Sequence, residues 1–412
     1  MFPTQDTVTA LLEFIARAEF RFRQHNSSEA ATQAGVKGER YYTTSQQFLD
    51  QAVAPNPAVF RVTRPQARLA ALSRAAWADA DVAGKRVLFL LPSQALGSNV
   101  ATLLFLHAFA EQRRPAKIGV FCARSTADIY DRSAIIQNYP LWVSRRDLKR
   151  WDLIVDLGHL ESRRNIDLWP VDMEAELLEA FGLEPAEGYP ADARALPTDR
   201  PLRIGILPLA SSPIRTLPPE ATVALAHYLS GEGDLSIALN RDQQQGRLHA
   251  QSVAGKLPET AHVIDGFDSI GALLDYLSGL DYAVLADSGP AHMTKLFGTP
   301  GVAVYSSAPA DILQGRFRNL SAWTVPYSGP HCATPCGLAK IRQTASGRIG
   351  CMGSLGVSVD QLPTTPTRPD PAAVTRLMRE PVPCIAALAA EPAALVDFVR
   401  QDLSSQRRAA SR

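Results

Sequence analysis

The sequence predicts a mixed α/β protein, with two successive parallel-sheet domains behind an N-terminal extension. Three observations carry this. Short apolar runs alternate with helical patterns from Lys85 onward, and a second series of the same kind starts at Leu202. Between the two series, residues 184–201 are rich in Pro, Ala and Asp and read as an interdomain linker. Within the second series, residues 280–307 form a strand–turn–helix–strand unit, the building block of a parallel sheet. At 412 residues the chain is long for one domain and comfortable for two. The expected divisions are an extension over 1–82, a first α/β domain over 83–190, a second over 200–375 and a helical tail over 376–412.

In the extension, residues 8–22 (V-T-A-L-L-E-F-I-A-R-A-E-F-R-F) carry apolar residues at helical spacing and predict a helix. Residues 25–40 are polar and read as a flexible connection, and 65–80 repeat the helical pattern. The extension is expected to pack on the body or to support a homo-oligomer.

Residues 85–92 (K-R-V-L-F-L-L-P) open the first domain as a strand, followed by a loop over 93–98 and a helix over 99–112. Lys117–Cys122 and residues 151–157 (W-D-L-I-V-D-L) are further strands, the latter with Asp156 near its end. The second domain begins with the strand L-R-I-G-I-L-P-L at Leu202. Strands follow over 235–239, 261–264, 282–286 and 302–305. The last of these flank the most informative turn. After the apolar run Tyr282–Ala286, Asp287, Ser288, Gly289 and Pro290 break the strand, and a short helix over 291–297 stops at Gly298. A carboxylate, a hydroxyl, open backbone N–H groups and His292 thus sit at the carboxyl end of a strand. Ligands of open α/β sheets bind at that end, and phosphate is favoured there.

Composition limits the function classes. Hydrophobic residues make up 46% and charged residues 20% of the chain, as in ordinary globular proteins. A net charge of +1 gives no reason to expect nucleic acid as a partner. The start lacks a basic stretch followed by an apolar core, and no apolar run approaches the roughly 18 residues of a membrane span. The expected location is cytoplasmic, where the five cysteines would be thiols or metal ligands. Peripheral contact with a membrane stays open.

The residues D-S-G-P-A-H, followed by L-F-G-T-P-G-V-A-V-Y, resemble the signature of the family 9 glycosyltransferases, the bacterial ADP-heptose heptosyltransferases. In that family this turn holds the diphosphate of a nucleotide sugar. Residues 207–218 (L-P-L-A-S-S-P-I-R-T-L-P) are similar to the family's loop P-G-A-S-x-x-K-x-W-P, which puts Arg215 at the position of a phosphate-binding lysine. A guanidinium can do this work and adds bidentate geometry. The family's glycine is Leu209 here. The resemblance implies the GT-B fold, two Rossmann-like domains with the site in the cleft. It also implies an inverting transfer of heptose, or a similar sugar, from a nucleotide diphosphate, ADP-heptose above all, to a glycan or protein acceptor. Arg215, Asp287, Ser288, Gly289 and His292 would bind the donor, with no organic cofactor.

One departure concerns catalysis. The family's first loop reads A-L-G-D, its aspartate acting as general base, whereas here Q-A-L-G-S-N places Ser98 there. An unassisted serine has no suitable pKa for that role. Asp156 and His159 are the nearest titratable candidates, and Asp156 is taken as the base. The same departure leaves room for a non-catalytic sugar-nucleotide-binding scaffold. An epimerase on a similar double frame is disfavoured by the match around Arg215.

Cys122 stands alone on a strand and reads as a buried thiol. Cys332, Cys336, Cys351 and Cys384 follow the spacing C-x3-C-x14-C-x32-C, compatible with tetrahedral thiolate coordination of iron or zinc. His331 is a substitute ligand. The chain further resembles the heptosyltransferases that modify autotransporter adhesins, which share the N-terminal extension and a four-cysteine iron site.

Overall fold

The computed structural model describes residues 82–91, 95–140, 143–144, 150–157, 171–338, 340–362 and 371–410, with the backbone of five short strands in residues 1–81. No single helix among them is long and apolar enough to cross a membrane. The chain divides into two compact units, Met1–Arg163 with Met173–Ala186, and Arg164–Asp172 with Glu187–Arg412.

The first unit carries a parallel sheet in the order Leu153–Asp156, Arg86–Leu90, Lys117–Cys122, Ile136–Pro140. The chain enters at Arg86–Leu90, moves outward through two strands, then returns to the other side of its starting strand. The sequence order therefore reverses between Arg86–Leu90 and Leu153–Asp156. The helix Leu96–Arg113 packs on this sheet through Phe105 and Phe109, which meet Phe89 and Phe181 at ring-centroid distances of 4.7–6.1 Å. The helix starts three residues earlier than its pattern predicts, so Ser98 lies in the first helical turn rather than in a loop. First-turn residues make no i→i−4 bond through their own N–H, so periodicity does not mark them.

The expected helix over 8–22 is corrected. Leu12–Ala16 is a strand, antiparallel to Glu39–Thr43 and to Val59–Arg61, and Arg21–Arg23 is another, paired with Thr32–Ala34. The same residues also alternate with period two: Leu12, Phe14 and Ala16 on one side, then Phe20 and Phe22 alternating with Glu19, Arg21 and Arg23. In that antiparallel register Phe14 stands opposite Tyr41 and Leu12 opposite Thr43. The expected connection over 25–40 holds the strand Thr32–Ala34 and the start of Glu39–Thr43. The helix expected over 65–80 lies outside the described residues. Val143–Ser144 of the first unit pairs with Glu39–Thr43 and extends the N-terminal sheet.

The second unit holds six parallel strands in the order His262–Ile264, Gly233–Ala238, Leu202–Leu207, Tyr282–Ala286, Gly301–Tyr305, Leu320–Thr324. The inner strands Tyr282–Ala286 and Gly301–Tyr305 are buried at every position, which is why they read as unbroken apolar runs. Here too the order reverses, between Leu202–Leu207 and Tyr282–Ala286. Outside the carboxyl ends of that strand pair lies the topological switch point, where open α/β sheets bind ligands.

The segment read as an interdomain linker is strapped to the second unit from Tyr189 on. The Arg316 guanidinium donates to Tyr189 O (2.8 Å), the Arg318 N–H to Ala191 O (2.7 Å), and the Arg194 N–H to Gly298 O (2.8 Å). Arg200 grips Asp281 through both nitrogens at 2.6 and 2.7 Å. Asp281 is 5% exposed, and the Arg200 pairing with the Arg203 N–H holds its carboxyl below the usual carboxylate range against the opposing effect of burial. The last helix, Ala393–Ala410, buries its apolar face in the core of the second unit through Leu395, Val399 and Leu403. Asp402 fixes it there, accepting from Tyr282 Oη at 2.7 Å and from Ser321 Oγ.

Candidate functional site

The strand Tyr282–Ala286 delivers Asp287 and Ser288 to the switch point. The Asp287 N–H still donates to Val304 O at 3.1 Å, as if the sheet continued, and Ser288 then turns the chain into the helix Gly289–Met293. Ser288 occupies the N-cap position, but its hydroxyl makes no capping bond. The helix is five residues long and passes into a 3-10 turn at Thr294–Leu296. So short a helix has little macrodipole, so local N–H groups and charged side chains must do most of the work on an anion.

The second wall is the loop after Leu202–Leu207. Leu217 N–H closes it by donating to Pro208 O (2.8 Å), and Pro213 starts the 3-10 turn Pro213–Arg215. That turn aims Arg215 at Asp287. Nη1 donates to Asp287 Oδ1 at 3.3 Å and to Asp287 O at 3.2 Å, while Nη2 donates to Ser211 Oγ at 2.9 Å. Arg215 is 15% exposed at its side chain and Asp287 2%, so water screens this ion pair little. His292 is pushed down to about 3 by burial, then by the neighbouring cations Lys295 and Arg215. It is a neutral imidazole near pH 7, able to donate one hydrogen bond and accept another.

On the loops that follow three neighbouring strands, five buried polar atoms make no hydrogen bond within the protein: Ser212 Oγ, Arg215 Nε, Asp287 Oδ2, Ser288 Oγ and Ser307 Oγ. Buried polar groups are satisfied as a rule, and each orphan costs about 1–3 kcal/mol. Hydroxyls, a guanidinium N–H and turn amides suit an oxygen-rich anion. Sequence reasoning singled out Arg215, Asp287, Ser288, Gly289 and His292, and the structure brings Arg215 and Asp287 into direct contact beside the other three. It missed Ser212 and Ser307. Both lie beside the strand–loop patterns already read, on the loops that follow Leu202–Leu207 and Gly301–Tyr305.

In the first unit, Ser98 is half-buried in the first turn of its helix. Its neighbour Asn99 locks that turn, donating to Ala95 O at 2.9 Å and accepting from Tyr130 Oη at 2.9 Å. Asp156 is the last residue of its strand, opposite Leu90 at the switch point of the first sheet. Only its backbone is described, and His159 lies outside the described residues.

Cys332, Cys336, Cys351 and Cys384 line a single pocket. Burial pushes the Cys332 and Cys336 thiols up and Cys384 up to about 12, with the neighbouring cysteines adding to the effect. Among the described residues no group of three or more His, Cys, Asp or Glu side chains is placed so that it could hold a metal ion as it stands. The donor set nevertheless fits a soft ion: four thiols face one small, otherwise apolar space, and an ion would draw them inward and release their protons. His331 does not line this pocket. Cys122 is buried on its strand as expected, its thiol pushed up to about 12 by burial.

The sequence profile of glycosyltransferase family 9 (heptosyltransferase) matches residues 163–328, which span this site. No curated protein sequence matches the chain. Among solved structures it is similar to E. coli heptosyltransferase WaaC with ADP-2-deoxy-2-fluoro heptose: identity is 16%, coverage 62% of this chain and 95% of that one, and TM-score 0.43. It is likewise similar to E. coli ADP-heptose lps heptosyltransferase II, with 15% identity over 59% and 91% of the two chains and a TM-score of 0.43. A third is the iron-containing dodecameric glycosyltransferase TibC from enterotoxigenic E. coli H10407, at 13% identity, 80% and 78% coverage and TM-score 0.47. The mixed α/β class expected from the sequence holds, with one parallel sheet in each unit.

Proposed function

We propose that this family 9 glycosyltransferase moves a heptose from ADP-heptose to a hydroxyl of a glycan or protein acceptor, with inversion at the sugar's anomeric carbon, in the cytoplasm. The observation that carries the reading is the Arg215–Asp287 pair, with the orphaned buried hydroxyls of its loops, at the switch point of the region that family 9 matches. In the transfer, the acceptor oxygen bonds to the anomeric carbon from one face as the bond to the diphosphate oxygen breaks on the other. Negative charge develops on the leaving diphosphate. Arg215, the amides after Ser288 and the neutral His292 are the groups at hand to stabilise it, and preorganised donors of this kind are often the largest contribution to such a step. Asp287 orients Arg215 rather than touching phosphate, since two anions would repel.

The acceptor proton needs a base. Asp156 is assigned that role because it ends a strand at the switch point of the first sheet. The four cysteines would hold an iron or zinc ion, whose contribution is to order the surrounding segment, with no part in the sugar transfer. Elemental analysis of purified protein should find about one such ion per chain, released as acid protonates the thiolates. The test of function is acceptor-dependent release of ADP, assayed with heptose-deficient lipopolysaccharide core and with an adhesin passenger domain. Release with either acceptor supports the reading. ADP binding without release for any acceptor would contradict transfer.

A further inference from the structure

The cysteine pocket and the donor turn share a wall. Ile214 and Ser307 line the pocket together with the four cysteines. Ile214 is 2% exposed and packs in one buried cluster with Cys351, Met352 and Leu377, against which Cys332, Cys336 and Cys384 also lie. Its carbonyl accepts from Ser306 Oγ at 2.7 Å, so the turn is pinned to the end of the strand Gly301–Tyr305. The next residue is Arg215. Within one 3-10 turn, Ile214 faces the cysteines while Arg215 reaches Asp287. Three residues locked in such a turn cannot shift independently. The Arg215–Asp287 contact, at 3.3 Å, is near the limit of a hydrogen bond, where a movement of about half an ångström decides its strength.

We propose that a thiophilic metal ion closing the four-cysteine pocket sets the affinity of the donor site, through Ile214 and the turn that carries Arg215. The proposal rests on the reading that a nucleoside diphosphate binds at Arg215 and Asp287. Without a metal no bond joins one cysteine to another, and the segments carrying them are held only by packing and by backbone hydrogen bonds such as Gly329 N–H to Cys332 O and Gly337 N–H to Ser307 O. With a metal, each ligating thiol gives a proton to solvent, the thiolates close on the ion, and its oxidation state is unchanged. The wall behind Ile214 is then fixed, and the donor no longer has to order it on binding. Coupling of this kind is reciprocal, so ADP must tighten metal binding by the same factor.

Zinc is the probe because it is redox-silent. Protein stripped with a chelator under reducing conditions is compared with zinc-loaded protein. ADP affinity is measured by calorimetry, and zinc affinity against a competing chelator with and without ADP. Zinc should lower the ADP Kd by about fivefold or more, and ADP should lower the zinc Kd equally. Ile214→Ala, which shortens the shared wall, should bring both factors toward one while zinc still binds, and Ile214→Val should keep most of the coupling. Equal ADP affinity in the two forms, or no stoichiometric zinc, would overturn the proposal on the parent protein alone. If neither form binds ADP while zinc binds, the nucleoside-diphosphate reading has failed and the coupling falls with it.

Discussion

Arg215 stands where the family has lysine, and the structure gives a reason for the exchange to work. One guanidinium nitrogen engages Asp287 and the other Ser211, leaving Nε buried and without a protein partner. A lysine has one nitrogen and could not serve all three directions. Gly289 opens the helix directly after Ser288, where backbone and phosphate would meet at closest approach. Gly289→Val should therefore weaken ADP binding at least tenfold while the melting temperature changes little, and calorimetry beside a thermal melt checks both. On the acceptor side, general bases contribute about a hundred- to ten-thousand-fold. Asp156→Asn should cut turnover by at least the lower figure with donor affinity unchanged. Ser98→Ala should do much less, and Ser98→Asp should raise the rate by restoring the family's carboxylate. Near-normal turnover of Asp156→Asn would remove it as the base. The candidate residues 287–292 stand out in the sequence because strand, turn and helix lie consecutively there. Ser212 and Ser307 carry no such pattern, and only their burial without a hydrogen-bond partner singles them out.

At the scale of elements, burial on both faces made the strands legible. Tyr282–Ala286 and Gly301–Tyr305 read as apolar runs because helices cover both sides of the sheet. The edge strands Leu320–Thr324 and Ile136–Pro140 carry mixed residues, half-exposed at several positions, and gave no comparable signal. The N-terminal segment failed for a different reason: its residues satisfy two periods at once, and the chain adopts the shorter. A core histidine gives a test of helix packing. His249, on the helix Gln244–Val253, is fully buried, bonded to Thr222 Oγ1 through Nε2 at 3.0 Å, and pushed down to about 4 by burial. The folded chain keeps it neutral, whereas the unfolded chain protonates it near pH 6.5. The unfolded state thus binds more protons between those values, and stability falls as pH drops from about 6.5, levelling below about 4. The difference approaches about 3 kcal/mol. Urea unfolding of the parent and of His249→Gln across this range should show a shallower acid slope in the variant. Parallel slopes would mean that His249 is not held neutral.

At the scale of the whole molecule, two α/β units are legible in the sequence, whereas the bonds that hold the segment between them are not. The Pro- and Ala-rich segment is bound to the second unit by guanidinium-to-carbonyl bonds and the Arg200–Asp281 pair, which composition does not reveal. The last helix belongs to the same unit through Asp402. The second unit is therefore a complete ligand-binding frame, with its switch point, arginine turn and supporting helix in one compact body. The claim that most depends on it is that this frame holds the diphosphate of an adenine nucleotide sugar. Calorimetric titration of ADP into the full chain, beside UDP and GDP and repeated on Arg215→Ala, tests it most directly. The predicted result is one ADP per chain, preferred over the other nucleotides, with at least a tenfold loss of affinity in the variant. Binding of no nucleoside diphosphate, or equal affinity in Arg215→Ala, would contradict it.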